Sequence, residues 1–221
     1  MCGRYSLHSN PEVVALQFGL ESVPDFAPRY NIAPAADVLI VKQDGASIAR
    51  WGLIPRWAKD PALGLKLNNA RAETLSAKGS FRDAYFRRRC LIPANGFYEW
   101  KRTGQLKQPY YIRPANDELF AFAGLWETWQ GIDTCTVITT EANITMASIH
   151  DRMPVLIAPQ DYAAWLDPAQ RDANELMRFV RPYPAERMSA YRVSPRVSKP
   201  DNDDPSLIAE LAQAPAQREL L

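Results

Sequence analysis

Apolar positions along this chain switch between the period of a strand and that of a helix, and the switches mark its elements. Residues 3–7 read as a short strand. Asn10-Pro11-Glu12 then supplies a capping side chain followed by proline at the first helical position. Val13, Val14, Leu16, Phe18 and Leu20 give the next segment apolar faces, and Gly19 marks where that helix ends. Asp25 to Pro34, punctuated by Pro28 and Pro34, predicts a loop. Residues 37–43 and 47–53 predict a hairpin around Gln43-Asp44-Gly45. An irregular stretch over 54–66 holds Pro55, Trp57 and Pro61, and an extended segment from Leu67 to Thr74 follows it.

A helix over 80–88 ends in Arg87-Arg88-Arg89. Strands near 90–93, 96–101, 109–114, 119–126 and 133–140 come in close succession, the pattern of an antiparallel sheet or barrel. Residues 143–149 suit one or two helical turns. A strand over 155–158, helices over 160–166 and 171–180, and a strand over 187–193 complete the pattern. Pro200 to Pro205 reads as a surface loop, and the last dozen residues as a loosely held tail. There is no repeat and no boundary, so residues 1–221 predict one domain of mixed α and β.

Composition excludes several classes. Hydrophobic residues at 47% and charged residues at 23% fit a globular chain rather than a disordered one. No apolar run approaches the ~18 residues of a membrane span, and no basic segment leads into an apolar one as in a secretory signal. Cys2, Cys90 and Cys135 are few, odd in number and widely spaced. That argues against a disulfide framework and for a reducing compartment, with the cytoplasm as the expectation. Net charge is +1, but residues 1–110 carry 16 Lys+Arg against 9 Asp+Glu, and residues 111–221 carry 10 against 16. Arginine outnumbers lysine 19 to 7. Guanidinium is the better bidentate partner of phosphate, so a basic face for a polyanion is one reading and an uneven solvated surface the other.

The candidate chemistry begins at Met1-Cys2-Gly3-Arg4. Cysteine is small enough for the initiator methionine to be trimmed, which leaves a free α-amine and a thiol on adjacent carbons. The amine has a reference pKa of about 7.7–8.0 against about 10.4 for lysine, so far more of it is unprotonated near neutrality. An amine and a thiol so placed suit an aldehyde: the amine forms a Schiff base, and the thiolate closes it to a thiazolidine. Of two histidines, His8 beside the helix start reads as a surface or capping residue. His150, in Ile-His-Asp-Arg-Met-Pro, suits proton transfer or a structural role. In Gly96-Phe97-Tyr98-Glu99-Trp100, strand alternation puts Glu99 on the inward face with Phe97. Burial there raises a carboxyl pKa and makes a general acid; an arginine-paired strand glutamate is the plainer reading. Asn69 and Arg71, two apart, project from one face of an extended segment. No Cys/His pair has metal-ligand spacing, and there is neither a Gly-rich phosphate loop nor a G-x-S-x-G, so no metal or cofactor is expected.

Six motifs then carry a resemblance: Met-Cys-Gly-Arg-Tyr at the start, Arg29-Tyr-Asn-Ile-Ala-Pro34, Trp51-Gly-Leu-Ile-Pro55, Asn69-Ala-Arg-Ala-Glu-Thr74, Gly96-Phe-Tyr-Glu-Trp100 and His150-Asp-Arg-Met-Pro154. In order and spacing the chain resembles the SOS response-associated peptidase (SRAP) family, whose members shield abasic sites in single-stranded DNA. The resemblance runs from residue 2 to about residue 200. It implies an α+β fold with a barrel-like antiparallel sheet flanked by helices. It implies that Cys2 becomes the N-terminus and crosslinks the abasic aldehyde, that Asn69 positions the reacting groups, that Glu99 assists ring opening, and that His150 assists Schiff-base chemistry. By the same resemblance Arg4, Arg71 and Arg152 grip phosphates, and Asn31, Pro34, Trp57 and Thr139 fall in segments lining the DNA path. The partner implied is single-stranded DNA containing an abasic site, met by a monomer with no membrane association, cytoplasmic and at the nucleoid when bound.

Rival readings remain at this point. Met-Cys-Gly also opens class II glutamine amidotransferases, but those continue with Ile where Arg4 stands, and their Gly-His-Thr-Arg-Trp-type motif is absent. An N-terminal-cysteine autopeptidase or amidohydrolase acting on peptide or glutamine would use the same cysteine. A non-catalytic DNA-binding module is the third.

Overall fold

The computed structural model describes residues 2–116 and 118–212. Strand β1 (Tyr5–Leu7) leads into helix α1 (Pro11–Phe18), followed by β2 (Arg29–Ile32), β3 (Asp37–Lys42), β4 (Gly45–Trp51) and β5 (Asn69–Arg71). Helix α2 (Arg82–Arg87) precedes the long strands β6 (Arg89–Ala94), β7 (Gly96–Thr103), β8 (Leu106–Pro114), β9 (Phe120–Trp129) and β10 (Ile132–Glu141). Then come α3 (Ile144–Ala147), β11 (Arg152–Pro154), α4 (Tyr162–Leu166), α5 (Ala173–Met177) and β12 (Met188–Arg192).

Helix α1 forms for the reasons its sequence gives. The Asn10 side chain accepts the Val13 N–H, and Gly19 closes the last turn at φ 64°, a left-handed value that costs glycine nothing. Only Val14, Ala15 and Phe18 of its apolar residues are buried; Val13 and Leu16 face solvent. Helix α5 is shorter than the 171–180 expected, because after Met177 the backbone tightens into i→i+3 bonds from Phe179 to Leu176 and from Val180 to Met177.

Five strands close on themselves. β10 pairs β4, β4 pairs β3, β3 pairs β6, β6 pairs β9, and β9 returns to β10 across the Gln130-Gly131 turn. Both turn residues have positive φ (48° and 81°), as a tight hairpin of right-handed twist requires. This is an α+β fold with a closed barrel flanked by helices. The sheet is not wholly antiparallel: β10 runs parallel to β4, and β5 adds to β10 in parallel through Val137↔Asn69, Ile138↔Ala70 and Thr139↔Arg71.

A second sheet, ordered β12-β8-β7-β1-β2, covers the barrel. Tyr5 meets Trp51 and Phe122 edge-on at 5.4 and 5.6 Å, and Phe97 meets Phe122 at 6.0 Å. The sheet's other face buries Tyr98 and Tyr111 against Val193, Val197 and Leu207. Residues 193–208 therefore form a strap across it.

Two expectations need correction. The loop expected over 25–34 contains an edge strand, β2, paired with β1 at Tyr5↔Ile32 and Leu7↔Arg29. The strand expected over 155–158 begins earlier, at Arg152, because β11 pairs with the end of β10; beyond Pro154 it is reduced to an isolated antiparallel bridge to β9, Phe122↔Leu156, with the bonds Ala123 to Val155 and Ile157 to Ala121. The tail expected over the last dozen residues lies outside the described residues from 213 on.

Candidate functional site

Strand pairing decides where Cys2 sits. Tyr98 donates its N–H to the Arg4 carbonyl and Phe97 lies opposite Tyr5, so the residues ahead of β1 run alongside β7 next to Glu99. Cys2 is completely buried, and its carbonyl accepts the Asn69 Nδ2 at 2.8 Å. Burial pushes the Cys2 thiol well up, and the Glu99 carboxylate adds to the rise. Glu99 is itself 3% exposed, and burial raises its carboxyl, with nearby positive charge, His150 included, opposing. Two adjacent acids disfavour joint ionisation, so the site holds a proton that either can give up to a reactant.

Asn69 comes from β5, which the barrel strand β10 holds in parallel register. Its Oδ1 is buried and lacks a hydrogen-bond partner among the described residues. An unused buried acceptor is costly, and it leaves one lone pair for a bound molecule.

His150 follows α3, its N–H bonded to the Met146 carbonyl at 2.8 Å. Its Nδ1 accepts the Arg152 N–H at 3.0 Å and also lies 2.9 Å from an Asp151 oxygen. Both cannot hold for one protonation state. Asp151 is 87% exposed and free to turn to solvent, so the backbone contact sets the tautomer, with the neutral ring's proton on Nε2.

Glu99, Trp100, Arg102, Lys107, His150 and Ser198 line a cavity of about 380 Å³. The structure thus brings Cys2, Asn69, Glu99 and His150 together. Among the described residues no group of three His, Cys, Asp or Glu side chains is placed to hold a metal ion.

The remaining sequence-predicted residues fall into three situations. Arg4 donates to the Asn31 Oδ1 at 2.7 Å and to the Val197 carbonyl at 2.9 Å. Asn31 is buried, and its Nδ2 donates to the carbonyls of Val197, Lys199 and Asn202, so its side chain braces the strap and Arg4 rather than presenting itself to solvent. Arg152 grips the Glu73 carboxylate with its two terminal guanidinium nitrogens, Nη1 and Nη2, at 2.6 and 3.1 Å, and donates to the Thr139 carbonyl; Thr139 is fully buried beneath it. Arg71 is exposed at the end of β5, Pro34 is half-buried in the turn after β2, and Trp57 is 62% exposed beside a different cavity formed with Lys59, Leu63 and Lys66. His8, expected at the surface or as a cap, is instead half-buried and stacks on Tyr30 at 4.9 Å.

Sequence reasoning missed Ser198, Arg102 and Lys107. Ser198 reaches the cavity because its Oγ accepts the Trp100 Nε1 at 3.1 Å across 98 residues of chain, which no local pattern records. Arg102 and Lys107 were visible only as the basic excess of the first half.

Residues 1–200 match the family described as SOS response associated peptidase (SRAP). The chain is 44% identical over 221 residues to the abasic site processing protein YoqW of Bacillus subtilis, across 94% of this chain and 99% of that one. It is 32% identical over 227 residues to the abasic site processing protein HMCES of Gallus gallus, across 84% and 67%. A crystal structure of a protein from Bacteroides thetaiotaomicron superposes with a TM-score of 0.88 at 26% identity, covering 96% of this chain and 100% of that one.

Proposed function

Because this chain belongs to the SOS response associated peptidase family, we propose that it processes abasic sites in single-stranded DNA through a covalent bond to Cys2. One observation carries the reading: Cys2 is held by Asn69 next to a buried, proton-retaining Glu99, which itself lies within electrostatic range of His150. A reactive aldehyde needs that combination of nucleophile, acid and proton carrier.

An abasic deoxyribose is mostly a closed hemiacetal. Protonated Glu99 gives its proton to the ring oxygen as the ring C–O bond breaks, and the anomeric hydroxyl's proton returns to the Glu99 carboxylate as the aldehyde forms. Once Met1 is gone, the Cys2 amine adds to the carbonyl carbon, and loss of one water leaves an imine. Glu99 protonates the departing hydroxyl and takes back the proton that the nitrogen releases, while the His150 Nε2–H hydrogen-bonds to the leaving oxygen. The thiol then adds across the C=N bond: sulfur bonds to carbon as Glu99 gives its proton to the nitrogen and takes the thiol's proton in return. Removing the imine also removes the electron sink for β-elimination, so the strand stays intact.

The test is intact-mass spectrometry before and after incubation with a single-stranded oligonucleotide carrying one abasic site. The expected product lacks Met1 and weighs protein plus DNA less one water, with the linkage mapped to Cys2. A trimmed protein that binds this DNA but forms no adduct reduces the reading to a DNA-binding module, and ammonia release from glutamine would favour the amidohydrolase.

A further inference from the structure

Beyond Glu99 the second sheet narrows to two strands. β1 pairs with β7 at Phe97 and Gly96, and its last backbone bond to β7 is the one from Tyr98 to Arg4. On the other side, β12 pairs with β8 from Pro114 to Tyr110, and a last backbone bond runs from the Val193 N–H to the Pro109 carbonyl. Past Trp100↔Pro109 the β7–β8 ladder runs on alone through Lys101↔Gln108, Arg102↔Lys107 and Thr103↔Leu106. Three residue pairs at about 3.3 Å each make an arm roughly 10 Å long. Its base is pinned: Trp100 donates to Ser198, and Gln108 Nε2 donates to the Val193 carbonyl at 2.9 Å.

The arm's charge is one-sided. Residues 100–109 include Lys101, Arg102 and Lys107 and no Asp or Glu. Arg102 and Lys107 stand directly opposite each other, so they share a face; both are exposed, and neither has an ion-pair partner among the described residues. Like charges in that relation weaken a strand pair, whereas an anion placed between them strengthens it. The same two side chains line the cavity that takes in Glu99 and His150.

We infer that this arm is a phosphate clamp, with Arg102 and Lys107 holding the backbone of the damaged strand next to the reacting sugar. The inference rests on the functional reading above. In DNA the abasic sugar carries a phosphodiester on each side, so a strand that brings its aldehyde to Glu99 carries phosphates to the cavity's edge. A guanidinium and an ammonium on a short ribbon bind that repeating anion without reading sequence.

The experiment measures equilibrium binding of the full chain to a single-stranded oligonucleotide carrying a tetrahydrofuran abasic analogue, which cannot form a Schiff base. Each phosphate neutralised on a single strand contributes about 0.7 to the log–log salt slope. The double variant Arg102→Gln/Lys107→Gln is expected to lose about 1.4 from that slope, so its deficit against wild type shrinks about sevenfold between about 50 and 200 mM salt. Arg102→Glu separates a lost clamp from a damaged fold. It places opposite charges across the ribbon, so its melting temperature is expected to hold or rise while binding weakens. Wild type that binds, with an unchanged slope in the double variant, overturns the clamp and leaves the functional reading intact. Wild type that neither binds this oligonucleotide nor forms the adduct overturns both.

Discussion

A carboxyl group 3% exposed, as Glu99 is, holds its proton more tightly in the folded chain than in the unfolded one. With the folded pKa above the unfolded value, the native state carries the extra proton between the two. Stability therefore falls as pH rises through that window, and at neutral pH the group costs the fold energy. Glu99→Gln removes the titration, so it is expected to raise the melting temperature at pH 7 and flatten its decline from pH 5 to 8. Crosslinking should slow by about 10²-fold, the usual contribution of a general acid–base group. A variant that is slower and also less stable at pH 7 would mean that the carboxylate is paired structurally, with no proton to spare. The burial of Glu99 was legible because alternation along β7 ties it to Phe97. The burial of Cys2 was not, because four residues at a terminus carry no period, and only pairing with β7 draws them inside. The burial of Asn31 was hidden for a similar reason: nothing near it names Val197, Lys199 or Asn202 as its acceptors.

The segment 54–66, which carries Trp57, lies back along the end of β4 through a close contact of two glycines. A Cβ on Gly64 would stand 2.7 Å from the Gly52 carbonyl oxygen and 2.8 Å from Ile54 Cγ1, and Gly52 itself has φ 143°. Further holds come from Arg56, which donates to Glu127 through Nε and Nη2 at 3.1 and 3.0 Å, and from Trp129, whose Nε1 donates to the Ala58 carbonyl at 2.8 Å. Gly64→Ala forces these backbones apart and is expected to destabilise the protein by about 1–3 kcal/mol in urea unfolding. Exposure of Trp57 to a fluorescence quencher should rise with it. A Gly64→Ala variant as stable as wild type would show that the contact is slack. Helix α1 and the β3–β4 hairpin were legible because their caps and turn are local. β2 was not, since its flanking prolines read as loop and its backbone is satisfied from outside, by Asp203 accepting the N–H groups of Tyr30 and Asn31. The parallel union of β10 with β4 and β5 was equally hidden, because it exists only once the barrel closes.

Across the molecule, the strap over 193–208 joins three things: the outer face of the second sheet, the Arg4–Asn31 clamp, and the cavity wall at Ser198. Asp203 is its fastening, accepting from Arg29 Nε at 2.6 Å and from the Asn31 N–H at 2.9 Å. Asp203→Ala leaves two backbone donors and a guanidinium without that acceptor, and a loss of about 1–3 kcal/mol is expected. Amide hydrogen exchange over 194–204 should accelerate, and adduct formation should slow in the same variant, because Ser198 and Arg4 move with the strap. Faster exchange with undiminished crosslinking would show that the cavity wall is dispensable. The strap also has a meaning for synthesis. Arg4 is made early, yet the Val197 carbonyl that holds it follows by 193 residues. At about 5–20 residues per second, some 10–40 s separate the two. Through that interval the segment around Arg4 exists without the carbonyl that holds it or the cavity wall at Ser198, so the order of translation leaves this part of the second sheet unfastened until the strap has been made.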